Sequence, residues 1–139
     1  MSMPYEDASA AEAAFYTAFR ELDLAQMRAV WLASSTTSCI HPGAELLQGI
    51  ESIMASWAAM FSNSQVPQVE HRLIQASTDR NLAVHTVEEK VSSASGQRSA
   101  LVLATNVYAR TEGRWHLLAH HASLPLVEPE QQQTPSPLH

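Results

Sequence analysis

The chain of 139 residues has one cysteine, only eight basic side chains, and no apolar run long enough to cross a membrane. Each shortage removes a class of protein. A lone cysteine, Cys39, cannot form an intrachain disulfide, and its ordinary role is that of a small buried side chain. The eight lysines and arginines are scattered against fourteen acids. With a net charge of −6 and no basic cluster, nucleic acid is excluded as the expected partner. The first fourteen residues carry Glu6, Asp7 and Glu12 and no base. The charged-then-apolar layout of a secretory leader is missing, so the reading is a cytoplasmic chain with no membrane attachment. There are no internal repeats and no nucleophile elbow, and the seven histidines show no ligand spacing on one face. Neither a metal nor a cofactor is expected.

What is present reads as three helices followed by a sheet. Ser9 with Glu12 three residues on resembles a capping box, opening a helix through about Leu22 with Phe15, Phe19 and Leu22 on one face. Asp23 caps a second helix bearing Leu24, Met27 and Trp31. A short β-favouring run, Thr36 to His41, ends at Pro42-Gly43, and Gly49 precedes a third helix over Ile50 to Phe61. Four strand patterns follow, over 66–77, 82–92, 98–111 and 114–123, separated by turn chemistry of hairpin length. The layout is α+β, with three N-terminal helices packed on a curved, mainly antiparallel sheet in a single domain over residues 1–125. Residues 126–139, rich in Pro, Gln, Glu and Ser, are expected to form a mobile tail.

The last strand carries adjacent His120 and His121, which must face opposite sides. A three-residue loop Thr111-Glu112-Gly113 sets Leu103 opposite His121 and gathers Leu101, Leu103, Leu117 and Trp115 on one nearly apolar face. A two-residue Glu112-Gly113 turn mixes both faces, so the first register is preferred. It sends His121 inward and His120 outward. In such surroundings an imidazole is a neutral core residue, or an acid–base or ligand-contacting group when a carboxylate stands beside it.

The order and spacing of several segments resemble the SnoaL-like branch of the nuclear transport factor 2 superfamily. They are Phe15-Tyr16-Thr17-Ala18-Phe19, Asp23-Leu24, Trp31, Cys39-Ile40-His41-Pro42-Gly43, Gly49, Ser56-Trp57, Thr105-Asn106-Val107-Tyr108, and Gly113-Arg114-Trp115 with His120-His121-Ala122-Ser123. The resemblance runs over about residues 8–125. It implies a cone-shaped α+β barrel with a pocket at its wide end, and a homodimer through the convex sheet face, where Tyr108, His116 and His120 are placed. It implies no single activity, because this fold hosts isomerases, dehydratases, cyclases and non-catalytic binding or assembly modules. The residues themselves point to His121 and His41 as acid–base candidates. Trp57, Leu103, Trp115 and one of Glu88 and Glu89 are candidates for lining a pocket for a small, largely apolar molecule. Alternation does not decide between the two acids, since Ala83, Val87 and Val91 favour Glu89 inward, while Leu82, Val84 and Thr86 favour Glu88. Two classes stay open: an enzyme of cofactor-independent acid–base chemistry, and a ligand-binding or dimeric assembly module.

Overall fold

A computed structural model describes residues 5–63, 68–124 and 126–127. Helix α1 (Ala8–Glu21) is built from alanine-rich sequence of high helix propensity. Its cap is Asp7, whose carboxylate accepts from the Ala10 N–H at 2.7 Å. The capping box expected at Ser9 does not form, because the helix starts earlier and Ser9 falls in its first turn. Glu12 is instead buried beneath the sheet. Leu22, at φ 57°, turns the chain so that Asp23 caps helix α2 (Leu24–Val30) by accepting from Gln26 N–H at 3.0 Å.

Strands β1 (Ser38–Ile40) and β2 (Leu47–Gln48) follow, then helix α3 (Ile50–Phe61) with the bounds the sequence indicates. Strands β3 (Gln68–Thr78), β4 (Leu82–Ser92), β5 (Ser99–Thr111) and β6 (Arg114–Ala122) form an antiparallel meander. The sheet order is β2-β1-β6-β5-β4-β3, with β1 parallel to β6. A final strand, β7 (Leu126–Val127), pairs with Ala100 and Leu101 of β5 and carries the folded part past residue 125. Residues 66–67 of the first of the four expected strands, and 128–139 of the expected tail, lie outside the described residues. The three helices lie on one face of this curved sheet, the expected α+β cone. No helix among the described residues is long and apolar enough to cross a membrane.

The β5–β6 hairpin overturns the preferred register. Glu112 and Gly113 both adopt positive φ, 53° and 78°, which is the two-residue turn whose twist matches the flanking strands. Thr111 therefore pairs with Arg114 and Tyr108 with Leu117. The next pair is Val107 with Ala119, so Leu118 is an extra, unpaired residue, a β-bulge. The bulge resolves the mixing that the two-residue turn implied. Trp115 and Leu117 point inward before it, and His120 and Ala122 point inward after it.

The inner face of β5 is correspondingly Val102, Ala104, Asn106 and Tyr108, all buried. The apolar set Leu101, Leu103, Val107 and Ala109 faces out. The cone thus keeps its polar strand residues inside, where α1 supplies them with partners, and shows a smoother apolar face to the exterior.

Candidate functional site

The interior of the cone contains a circuit of hydrogen-bonding groups from four elements. Helix α1 contributes Tyr16, one turn beyond Glu12. Strand β4 sends in His85 and Glu89 by alternation, β5 Asn106 and Tyr108, and β6 His120. The Asn106 amide donates to the Tyr16 hydroxyl at 3.1 Å, so its oxygen is the acceptor for His120 Nδ1 at 2.6 Å. The Tyr16 hydroxyl in turn donates to Glu89 Oε2 at 2.6 Å. His120 Nε2 is left as the acceptor nitrogen, and it lies 3.9 Å from the same Glu89 oxygen. Beside this circuit, Glu12 Oε2 accepts the Tyr108 hydroxyl at 3.0 Å and lies 3.0 Å from His85 Nδ1.

Burial sets the protonation states. Glu89 is 2% exposed. Loss of water drives its carboxyl up to about 7, against a smaller downward pull from the Tyr16 hydrogen bond. Burial, with the like charge of His41 and His121 nearby, drives His120 down to about 3. Near neutral pH the pair is therefore an uncharged imidazole facing a carboxyl that exchanges its proton readily, rather than an ion pair. The Tyr16 and Tyr108 phenols are raised by burial and by the neighbouring carboxylates, which keeps both as donors.

Trp57 of α3 floors the neighbouring region. It is fully buried, with ring centroids of His41 at 4.8 Å, Phe19 at 5.0 Å, Phe15 at 5.6 Å and His120 at 6.3 Å. Its indole N–H has no acceptor among the described residues. The Ser56 hydroxyl donates to the Ile53 carbonyl at 2.7 Å, so His41 Nε2 is the donor in its 2.9 Å contact with Ser56 Oγ. That leaves His41 Nδ1 with a free lone pair, on a ring whose burial lowers its basicity. Cys39, also 3.8 Å from His41 Nε2, is a buried thiol pushed up to about 12 by loss of water. At the surface end, His71 stacks on Tyr16 at 4.1 Å and meets Arg20 at 3.3 Å.

The structure gathers three of the expected residues, His41, Trp57 and Glu89, and settles the choice of inward acid as Glu89. It places the others elsewhere. His121 is exposed on the outer face and contacts Ser38 Oγ through Nε2 at 2.9 Å. The expectation that it enters the cone fails because of the bulge at Leu118. Glu88 points outward and pairs with Arg72 at 3.1 Å beside a groove of about 280 Å³, and Leu103 is likewise external. Trp115 is buried, but about 15 Å along β6 from His120 at a strand's rise per residue, where its N–H bonds to the Tyr5 carbonyl. Of the three residues placed on the convex face, Tyr108 and His120 are inside and only His116 remains outside. Tyr16, Asn106 and His120 were not among the site residues. Their signal lay in the polar positions at alternate places along β4 and β5, matched by Glu12 and Tyr16 one helical turn apart.

The profile of the SnoaL-like domain family matches residues 9–127. The chain belongs to this family. It thereby lies within the nuclear transport factor 2-like superfamily, and known structures agree. A Thiobacillus denitrificans protein, provisionally named as a calcium/calmodulin-dependent protein kinase type II association domain, is 31% identical with a TM-score of 0.82, over 90% of this chain and 99% of that one. A Streptomyces avermitilis protein, provisionally named a dehydratase of the NTF2-like family, is 29% identical with a TM-score of 0.77, over 88% of this chain and 97% of that one. Among curated proteins, the F-box protein SKIP8 of Arabidopsis thaliana is 29% identical over 117 residues, 84% of this SnoaL-like chain. The chain spans about half the length of that relative, 49%.

Proposed function

We propose that this SnoaL-like domain holds a small, largely apolar molecule beside Trp57 and His41 and moves a proton on it through Glu89, without a cofactor. The observation that carries the reading is Glu89, a carboxyl with a pKa near 7 hydrogen-bonded to Tyr16 and 3.9 Å from a neutral imidazole nitrogen. A general acid or base works best when its pKa lies near the working pH, and perturbed groups of this kind concentrate at functional sites. Glu89 can release a proton to a leaving hydroxyl or a carbonyl oxygen, or, once ionised, accept one from an adjacent carbon, with the neutral His120 ring beside it. The unpartnered Trp57 N–H supplies a donor to an oxygen of the ligand. This suits proton transfer beside a carbonyl, or loss of water from a hydroxy-carbonyl compound, and the name given to the Streptomyces relative lies in that class.

A thermal-shift screen with small ketones and hydroxy-ketones tests the reading, since a ligand that binds only the folded state raises its stability. A hit that is turned over should lose at least about 100-fold in rate in Glu89→Gln, with binding changed little. Turnover that survives Glu89→Gln sinks the acid–base assignment, and a screen without a stabilising compound sinks the pocket.

A second reading, an assembly module acting as a homodimer, is favoured by the outer sheet face. Leu82, Val84 and Leu103 are 45%, 37% and 44% exposed there. Facing cross-strand pairs Leu82–Ala109, Val84–Val107 and Thr86–Thr105 carry no charge. A contiguous uncharged face of this kind is ordinarily covered, and a second copy of the same surface covers it without requiring charge complementarity. The name of the Thiobacillus relative, an association domain, is in keeping with this.

A further inference from the structure

We infer that Asn106 is a positioning residue for Glu89, its amide holding the Tyr16 hydroxyl proton on the carboxyl and the bare Nε2 of His120 toward it. The orientation follows from geometry alone, and its bearing on catalysis rests on the proton-transfer reading above. Asn106 is fully buried, and the sheet register sets it directly opposite His120 on β6 and His85 on β4. A side-chain amide carries a donor end and an acceptor end in one rigid plane. Here the nitrogen end meets the Tyr16 oxygen at 3.1 Å, and the oxygen end meets His120 Nδ1 at 2.6 Å.

The surrounding protons determine which way the amide points. Tyr16 gives its one hydroxyl proton to Glu89 at 2.6 Å, and Tyr108 gives its own to Glu12 at 3.0 Å. Both phenols therefore turn lone pairs toward Asn106. Its hydrogen bonding acts on both in the same sense, favouring the phenolate against the effect of burial. With the nitrogen end so engaged, the amide oxygen faces His120, and Nδ1 must carry the ring proton. Reversing the amide would claim the Tyr16 proton for Oδ1 and leave Glu89 facing a phenol lone pair. A hydroxyl that accepts a hydrogen bond is polarised and donates more strongly, so Asn106 strengthens the hold of Tyr16 on Glu89.

Other ionisable groups also face Glu89. His71 pairs with it across β3, Cys39 lies toward it from β1, and His85 is four residues back on β4. Glu12, one turn before Tyr16 on α1, is engaged by Tyr108 and His85, and His41 acts on His120. Asn106 reaches Glu89 through Tyr16 and His120, its two hydrogen-bonded partners.

Nitrogen-15 NMR of the full chain at about pH 8.5 reads the His120 tautomer, and carboxyl carbon-13 shifts read the Glu89 titration. His120→Gln and Glu89→Gln identify the signals, and circular dichroism verifies each fold. The natural sequence should show a protonated Nδ1 and a bare Nε2. In Asn106→Leu, which removes the acceptor, the ring proton should move to Nε2. In Asn106→Asp a second carboxylate competes for the Tyr16 hydroxyl. The upper midpoint of the two acids should then rise by at least about one unit from the natural Glu89 value of about 7. A ring protonated at Nε2 in the natural sequence overturns the inference without recourse to any variant. So does a ring still protonated at Nδ1 in Asn106→Leu, or a midpoint moved by less than about 0.3 unit in Asn106→Asp. A natural Glu89 midpoint near the ordinary 4.5, with Nδ1 protonated, overturns the proton-transfer reading and supports the amide orientation alone.

Discussion

Glu89→Gln is expected to make the protein more stable at pH 8 by about 3 kcal/mol and to leave its stability unchanged at pH 4. The carboxyl stands at about 7 in the fold against an ordinary value of 4.5. At about 1.4 kcal/mol per pH unit, that interval corresponds to about 3 kcal/mol. The sign follows from which state holds the proton. Below pH 4.5 the folded and unfolded chains both carry it, and burial of the neutral acid costs nothing extra. As pH rises through 4.5 to 7 the unfolded chain ionises first, so the folded state loses ground. Above 7 the penalty is complete. Glutamine presents the same amide-sized group to the Tyr16 hydroxyl with no proton to lose.

His120 contributes the opposite slope. Its folded value of about 3 lies below the ordinary 6.5, so stability is full above pH 6.5 and falls as pH drops toward 3. Over pH 4.5 to 6.5 the two groups cancel in the natural sequence, and Glu89→Gln exposes the histidine's slope. Urea denaturation at half-unit pH steps measures this. A stability difference independent of pH would show that Glu89 is not the buried, proton-retaining acid described above.

Trp57→Ala is expected to cost about 3–5 kcal/mol and to lower the melting temperature by about 10 °C or more. The indole is fully buried between Phe15, Phe19, Phe61 and the rings of His41 and His120. Truncation removes its contacts with all five at once and leaves a cavity that three helices and a sheet cannot close. Leu103→Ala, on the outer face, should cost under about 1 kcal/mol in the isolated chain, because the side chain is already 44% exposed. Thermal unfolding of both variants at low protein concentration gives the comparison. A loss below about 1 kcal/mol for Trp57→Ala would mean that the region around the ring is open rather than packed.

Element positions were legible in the sequence because they rest on local chemistry. Asp23 capped α2 where expected, α3 ran from Ile50 to Phe61, and the Glu112-Gly113 turn stood between two β patterns. Facing was not legible, because it was judged on the premise that the more apolar side of a strand turns inward. Here β5 turns Asn106 and Tyr108 inward, stabilised by hydrogen bonds to α1 that no pattern within the strand can reveal. The same long-range pairing took Glu12 from a supposed cap to a buried acceptor. Of the site, His41 and Trp57 could be named from position, and Glu89 only as one of the pair Glu88 and Glu89. Tyr16 and His120 could not, since their roles depend on partners 73 and 14 residues distant.

The unpaired Leu118 acts on β6 as a frameshift acts on a message. Counting every second residue from Trp115 names the correct side as far as Leu117 and the wrong side for everything after it. A related strand one residue shorter at this point would turn the other member of a His-His pair toward the helices with no change in either histidine. Identity at position 120 or 121 is therefore a poor guide to shared chemistry among such proteins. The cross-strand neighbour is the better one: the residue opposite Asn106 belongs to the interior, and the residue opposite Thr105 to the outer face.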